Sequence, residues 1–138
     1  MAFKPTRPLG GKNNEILPKA AALVTTKGQL LQLSVTTGLL ESAGVATTTN
    51  VLWIANSTIA AADALTAVEG VQIQIGADEY LVNTVNNSDA AHNGQRMIIT
   101  AGGLTLTNTG TDVATAPFQQ IAVVGAAADK LIRARRVQ

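Results

Sequence analysis

A hydrolase or transferase needs a nucleophile, a base and a group that orients the base. This chain offers one histidine, His92, and no cysteine. His92 sits in NNSDAAHNG among small polar residues, the setting of an exposed loop histidine rather than a general base. No GxSxG, Walker loop, GxGxxG or HExxH pattern occurs. The Gly102-Gly103 pair precedes Leu-Thr-Leu, which reads as a strand and not as a helix whose N-terminus would hold phosphate. Asp78 and Glu79 are adjacent carboxylates, but neighbours on an extended chain face opposite ways, so surface charge is the better account. The Asn and Asp residues of 86–93 gather oxygen ligands without EF-hand spacing, and Asx-rich loops are ordinary turn material. The chain therefore reads as one with no catalytic residue, no cofactor and no metal site: not an enzyme.

What remains is charge, and it is placed unevenly. In the closing LIRARRVQ, a strand beginning near Lys130 puts Ile132 and Ala134 on one side and Leu131, Arg133 and Arg135 on the other, with Arg136 outside the tidy alternation. Arginines two residues apart form a same-face pair suited to bidentate carboxylate contacts. A nucleic-acid surface would want more basic residues nearby or aromatics for stacking, yet the net charge is +1 and only 3% of residues are aromatic. Arg133 and Arg135 thus read either as an inter-subunit or partner contact or as a solvated edge that discourages aggregation. Residues 1–27 carry Lys4, Arg7, Lys12, Lys19 and Lys27 against Glu15, whereas residues 28–95 carry six acids and no Lys or Arg. Basic residues return from Arg96 onward. Such segregation suits one subunit laying a basic end on the acidic part of a neighbour.

The elements that must present these residues are mostly strands. Residues 1–19 hold Pro5, Pro8 and Pro18 with Gly10-Gly11 and Asn13-Asn14, a composition that breaks helices and cannot pair centrally in a sheet. It reads as an extended N-terminal arm that docks on a partner or stays loose, followed by a single β-rich domain over residues 20–138. Residues 29–35 alternate, with Leu31, Leu33 and Val35 on one face; VLWIA (51–55) is a continuous apolar run that fits a buried strand; VQIQI puts Val71, Ile73 and Ile75 opposite Gln72 and Gln74. Residues 80–85 follow closely enough for a hairpin, and further strands are expected over 95–100, 104–109, 118–124 and 130–137. One short helix is expected in STIAAADALTAVEG, capped by Ser57 and ended by Gly70. The turn spacing suits a sandwich or barrel.

A chain of 138 residues can bury roughly two thirds of its unfolded surface, but with one Trp, one Tyr and two Phe its core must be largely aliphatic and thin. Further burial against identical subunits would add stability by mass action. The N-terminal MAFKPTRPLGGKNNE has no apolar run of signal-peptide length and no stretch of the chain approaches membrane-span length, so the expectation is a protein made in the cytosol, with neither membrane nor nucleic acid as partner.

The order of these features resembles the small capsid decoration proteins of tailed bacteriophages, also called cement or head-stabilising proteins. The resemblance rests on the Pro/Gly-containing arm, the strand LLQLSV after a Lys-Gly turn, the Thr/Ala/Gly-rich GLLESAGVATTT and the closing hairpin IAVVGAAADKLIRARRV, and covers roughly residues 16–138. It implies a compact β domain, barrel-like or tulip-like, assembled as a homotrimer on the outer capsid surface of the virion, where it clamps neighbouring major capsid proteins. On that reading Lys4, Arg7, Lys12 and Lys19 form a capsid-binding arm. The alternative is a tail or head-fibre component whose NNSDAAHNG loop touches a receptor or glycan.

Overall fold

The computed structural model describes residues 3–5, 15–43, 51–61, 63–76, 78–100 and 102–138. Among the described residues eleven strands run in chain order: β1 (Lys4–Pro5), β2 (Glu15–Pro18), β3 (Leu30–Leu33), β4 (Leu40–Ser42), β5 (Leu52–Ala55), β6 (Ala67–Ile73), β7 (Glu79–Thr84), β8 (Arg96–Ile99), β9 (Thr105–Thr107), β10 (Phe118–Val123) and β11 (Leu131–Arg136). The fold is mainly β, as the alternation and turn spacing led one to expect.

The second half of the chain closes on itself. Strand order β7-β11-β10-β8-β9 returns to β7 through a short parallel pairing, Asn83 with Thr105 and Thr84 with Leu106, which makes a five-stranded barrel. Closure leaves those strands without free edges over the paired stretch. Strict in/out alternation fills the interior: Tyr80, Val82, Met97, Ile99, Leu106, Phe118, Ile132 and Ala134 are all buried in one cluster. The expected closing hairpin is β10–β11, antiparallel, with a register shift between Gln120 and Ala122.

The first half forms the antiparallel sheet β2-β6-β5-β3-β4, and it is covered on both faces. Leu30, Leu52, Ile54 and Ile73 join the barrel's core. Leu31, Trp53, Ala55 and Val68 point the other way, into a second core with Leu23, Leu40 and Ile59. A sheet buried on two faces needs no polar alternation, which is why the run in residues 51–55 is unbroken and all of Leu52–Ala55 is buried.

Several expectations change. Residues 71–75 and 80–85 do not form a hairpin: β6 pairs with β5 and β2, whereas β7 belongs to the barrel, so the chain changes sheet between β6 and β7. The strands also stop short of the sequence pattern, leaving Val35 89% and Ile75 62% exposed. In place of a helix ending at Gly70, residues 67–70 are already strand, and among the described residues only two short 3-10 turns, Ala90–His92 and Ala127–Asp129, are helical. Gly70 marks a close contact rather than a cap: a Cβ there would lie 3.1 Å from the Ile54 carbonyl oxygen and 3.3 Å from Trp53 Cβ.

The described parts of the expected arm are extended, but they run along the body. β1 pairs with β7 and β2 with β6, both as outermost strands. Phe3 is buried, its ring centroid 5.0 Å from that of Phe118. Residues 3–5 and 15–19 are therefore structural parts of the domain. The two halves are stapled at Gly103, whose carbonyl accepts from the Leu30 amide at 2.9 Å, while buried Gln29 donates to the Gly102 carbonyl at 2.6 Å and to Ser42 Oγ at 3.0 Å. Gly103 has φ +71, and a side chain there would collide with the Leu30 backbone.

Candidate functional site

Pairing in the barrel sets the outward face of β11. Arg133 lies opposite Leu81 on β7 and Ala122 on β10; Arg135 lies opposite Glu79 and Gln119; Leu131 lies opposite Asn83. The expected same-face alternation of Leu131, Arg133 and Arg135 is present, with Ile132 and Ala134 buried behind it. Neither arginine is without neighbours. Arg133 Nε stands 3.5 Å from Glu79 Oε2, close enough for charge attraction though without hydrogen-bond alignment. Arg135 donates from Nε and Nη2 to Gln119 Oε1 at 3.3 and 3.1 Å and remains exposed. The result is a face in which two guanidinium groups flank the half-buried Leu81, Leu131 and Ala122. Guanidinium planes beside aliphatic surface suit a protein partner that brings carboxylates and apolar side chains.

Arg136, expected to fall outside the alternation, continues it and turns inward. It is 5% exposed, donates from Nη1 to the Ile73 carbonyl and from Nε to the Gln138 carbonyl, each at 2.8 Å, and so ties the end of β6 to the barrel. Burial lowers its pKa from the ordinary arginine value, with the Tyr80 phenol acting in the opposite direction. Tyr80 is fully buried and its hydroxyl has no hydrogen-bond partner among the described residues. Desolvation first, then the Asp78 carboxylate, pushes its pKa up to about 12, against the lowering pull of Arg136. Asp78 and Glu79 are thus not plain solvated charges: one acts on Tyr80 and the other pairs with Arg133.

The arm cations separate into three cases. Lys4 is exposed on β1. Lys19 is buried and donates from Nζ to the Ala20 and Ala21 carbonyls, each at 3.3 Å, so it is occupied within its own chain. Its backbone continues the first sheet, bridging to Leu40. Arg7 and Lys12 lie outside the described residues.

The NNSDAAHNG loop gathers at one end of the barrel around an open cavity of about 650 Å³, with Asn108 and Thr109 from the end of β9 and Val123 from β10 completing the wall. Asn108 organises it. Its Oδ1 accepts from the Asn86 amide at 3.0 Å, and its Nδ2 donates to the carbonyls of Asn86 and Asn87 at 3.3 and 2.9 Å. Asp89 Oδ1 accepts from the Ala91 amide at 2.8 Å, and Ser88 is anchored to the Ala127 carbonyl through its backbone N–H at 3.0 Å. These oxygens build the turn rather than a cation cage: among the described residues no three His, Cys, Asp or Glu side chains gather to hold a metal. His92 lines the cavity, more enclosed than an exposed loop histidine, and its Nδ1 is buried without a partner. Sequence reasoning singled out the loop but missed Asn108, which lies 22 residues from Asn86 and carries no local signal.

No family model, curated protein or solved structure matches this chain.

Proposed function

We propose that the protein is a structural virion component that binds the outer surface of a phage capsid and stabilises the shell by clamping neighbouring major capsid proteins. The observation that carries the reading is the outward face of β11, where Arg133 and Arg135 flank Leu81 and Leu131 on a rigid barrel wall. A face with two guanidinium groups, one beside Glu79 and one hydrogen-bonded to Gln119, and half-buried aliphatic neighbours fits a carboxylate-bearing protein surface better than a small substrate. Exposed Ile16, Val35, Leu65 and Ile75 in the first half supply apolar area suited to closing a homotrimer. Of the arm cations, Lys4 extends the capsid contact, together with Arg7 and Lys12, while Lys19 serves its own fold.

The test is co-sedimentation of the purified protein with empty capsids of its phage, beside the native particle mass in solution. The expected result is a particle of three chain masses that saturates the shells and raises their resistance to heat. An Arg133→Glu/Arg135→Glu double variant, checked for folding by circular dichroism, should bind at least about tenfold more weakly, the size expected for losing two charge-assisted contacts at a protein interface. Equal binding by that variant removes the arginine face from the contact, and shells equally robust with and without the protein remove the stabilising role.

A further inference from the structure

The cavity at the barrel end has a chemistry that the capsid reading leaves unused, and none of the arginines of β11 enters it. Its volume, about 650 Å³, falls in the range of roughly 300–1,000 Å³ usual for small-molecule sites. The wall is held by hydrogen bonds that exist without any ligand, above all those of buried Asn108, so the shape is preorganised. Within it, Asn87 and Thr109 are exposed and make no side-chain hydrogen bond among the described residues. Asp89 has one oxygen on the Ala91 amide and a second with no such bond.

Two buried polar atoms lack a partner among the described residues, one on the turn and one on β10 beneath it. His92 Nδ1 has no partner, and Gln120, fully buried beneath the turn, donates to the Asp89 carbonyl and Asn93 Oδ1 at 2.8 and 2.9 Å but leaves its own Oε1 unsatisfied. Of the two residues, His92 lines the cavity and Gln120 does not, and a buried polar atom such as His92 Nδ1 is unfavourable without a partner unless a ligand or water supplies one. The lining brings no Lys or Arg, which disfavours phosphate and nucleic acid. It offers instead an amide, a hydroxyl, a carboxylate and an imidazole around an apolar patch of Ala90, Val123 and Ala127. Mixed donors and acceptors beside a small apolar patch match the hydroxyl edge and C–H face of a sugar ring.

We propose that this cavity binds a neutral saccharide, with Asn87, Asp89, His92 and Thr109 contacting its hydroxyl groups. Among the described residues no Phe, Tyr or Trp ring lines the cavity, so the strongest stacking partners are missing and single-site affinity is on the order of millimolar. Display in several copies on one particle raises the avidity without any new contact.

The test uses the whole purified protein and a panel of neutral probes (glucose, galactose, N-acetylglucosamine and lactose), with inorganic phosphate and N-acetylneuraminic acid as anionic comparisons, read by saturation-transfer and amide-shift NMR. The expected result is that at least one neutral sugar receives saturation and shifts amides confined to residues 86–93 and 108–109. Asp89→Asn keeps the oxygen that accepts from Ala91, and Asn87→Ala/Thr109→Ala alters exposed side chains only, so both should fold. Each should weaken binding about fivefold or more, the ratio that corresponds to one lost hydrogen bond. The proposal is overturned when no neutral sugar shifts those amides, when phosphate or the anionic sugar shifts them more strongly, or when both variants bind like the parent chain.

Discussion

The two halves of this molecule solve the same burial problem with different amounts of chain. The barrel closes its ladder and holds Phe3, Tyr80 and Phe118 in its core. The first sheet is buried on both faces, but the cover over its second core comes largely from loop residues such as Leu23 and Ile59, with Trp53 as that core's one aromatic side chain. The consequence shows at the surface. Exposed Ile16, Val24, Val35, Val51, Leu65 and Ile75 all belong to the first half, against Val85 and Leu104 in the second. A sheet with two apolar faces and few covering segments leaves apolar area over, whereas a closed barrel turns almost all of its apolar side chains inward. The comparison also reorders the charge argument. The acidic middle of the sequence and its basic end meet within one chain, on β7 and β11, where Glu79 faces Arg133 and Arg135, so segregation along the sequence does not by itself demand a partner.

This contrast is open to direct attack. The largest effect is expected at the staple: Gly103→Val must leave φ +71 and displace the Leu30 backbone, a loss of about 4 kcal/mol for a collision combined with an unfavourable backbone angle. The single Trp and single Tyr report on the two cores separately. Urea unfolding followed by Trp53 fluorescence and by Tyr80 near-ultraviolet circular dichroism should coincide in the parent chain, because Leu30, Leu52 and Ile54 share the barrel's core. In the variant the midpoint should fall, and the Trp53 signal should move first. An unchanged midpoint would show that the halves are joined elsewhere.

Next in size is Phe3→Ala, which empties a site 2% exposed against Phe118 and should lower stability by about 3 kcal/mol. A chain lacking residues 1–5 should lose at least as much; full stability in the truncated chain would mean that the N-terminal strand is an ornament on the barrel. The smallest effect at neutral pH belongs to Tyr80→Phe, because the hydroxyl it removes has no partner among the described residues. Its signature is pH dependence. Tyr80 titrates near 12 when folded and near 10 when unfolded, so the protonated form favours the fold. That contribution is complete below pH 10 and is lost as the pH rises towards 12, amounting to about 3 kcal/mol. The phenylalanine variant should lose this alkaline decline, and an identical decline in both proteins would assign it to another group.

Much of the barrel was legible in the sequence, and for a physical reason. Its strands have one wet and one dry face, so Leu131 to Ala134 or Tyr80 to Asn83 declare themselves by period two. The same rule failed where burial is two-sided or a strand stops early. Val35 and Ile75 continue an apolar pattern past the last ladder bond, and period two cannot say which strand is whose neighbour, hence the mistaken hairpin between β6 and β7. Alanine content and a plausible cap suggested a helix before Gly70, but tertiary packing of Trp53 and Ile54 against that glycine prevailed. The cavity was half visible: the Asx-rich loop stands out, while Asn108 acts from a distant segment. Arg136 was set outside the tidy alternation, whereas the alternation continues through it and carries its side chain to the Ile73 carbonyl.

Of the strands at sheet edges, β1 and β2 each carry an imino acid, Pro5 and Pro18, whereas β4 carries none. Lacking an N–H, each interrupts the row of donors that a foreign strand would need in order to add on. A second copy is therefore hindered from adding a strand at β1 and β2, and replacing both prolines should raise the tendency of the chain to aggregate, read as light scattering against the parent chain.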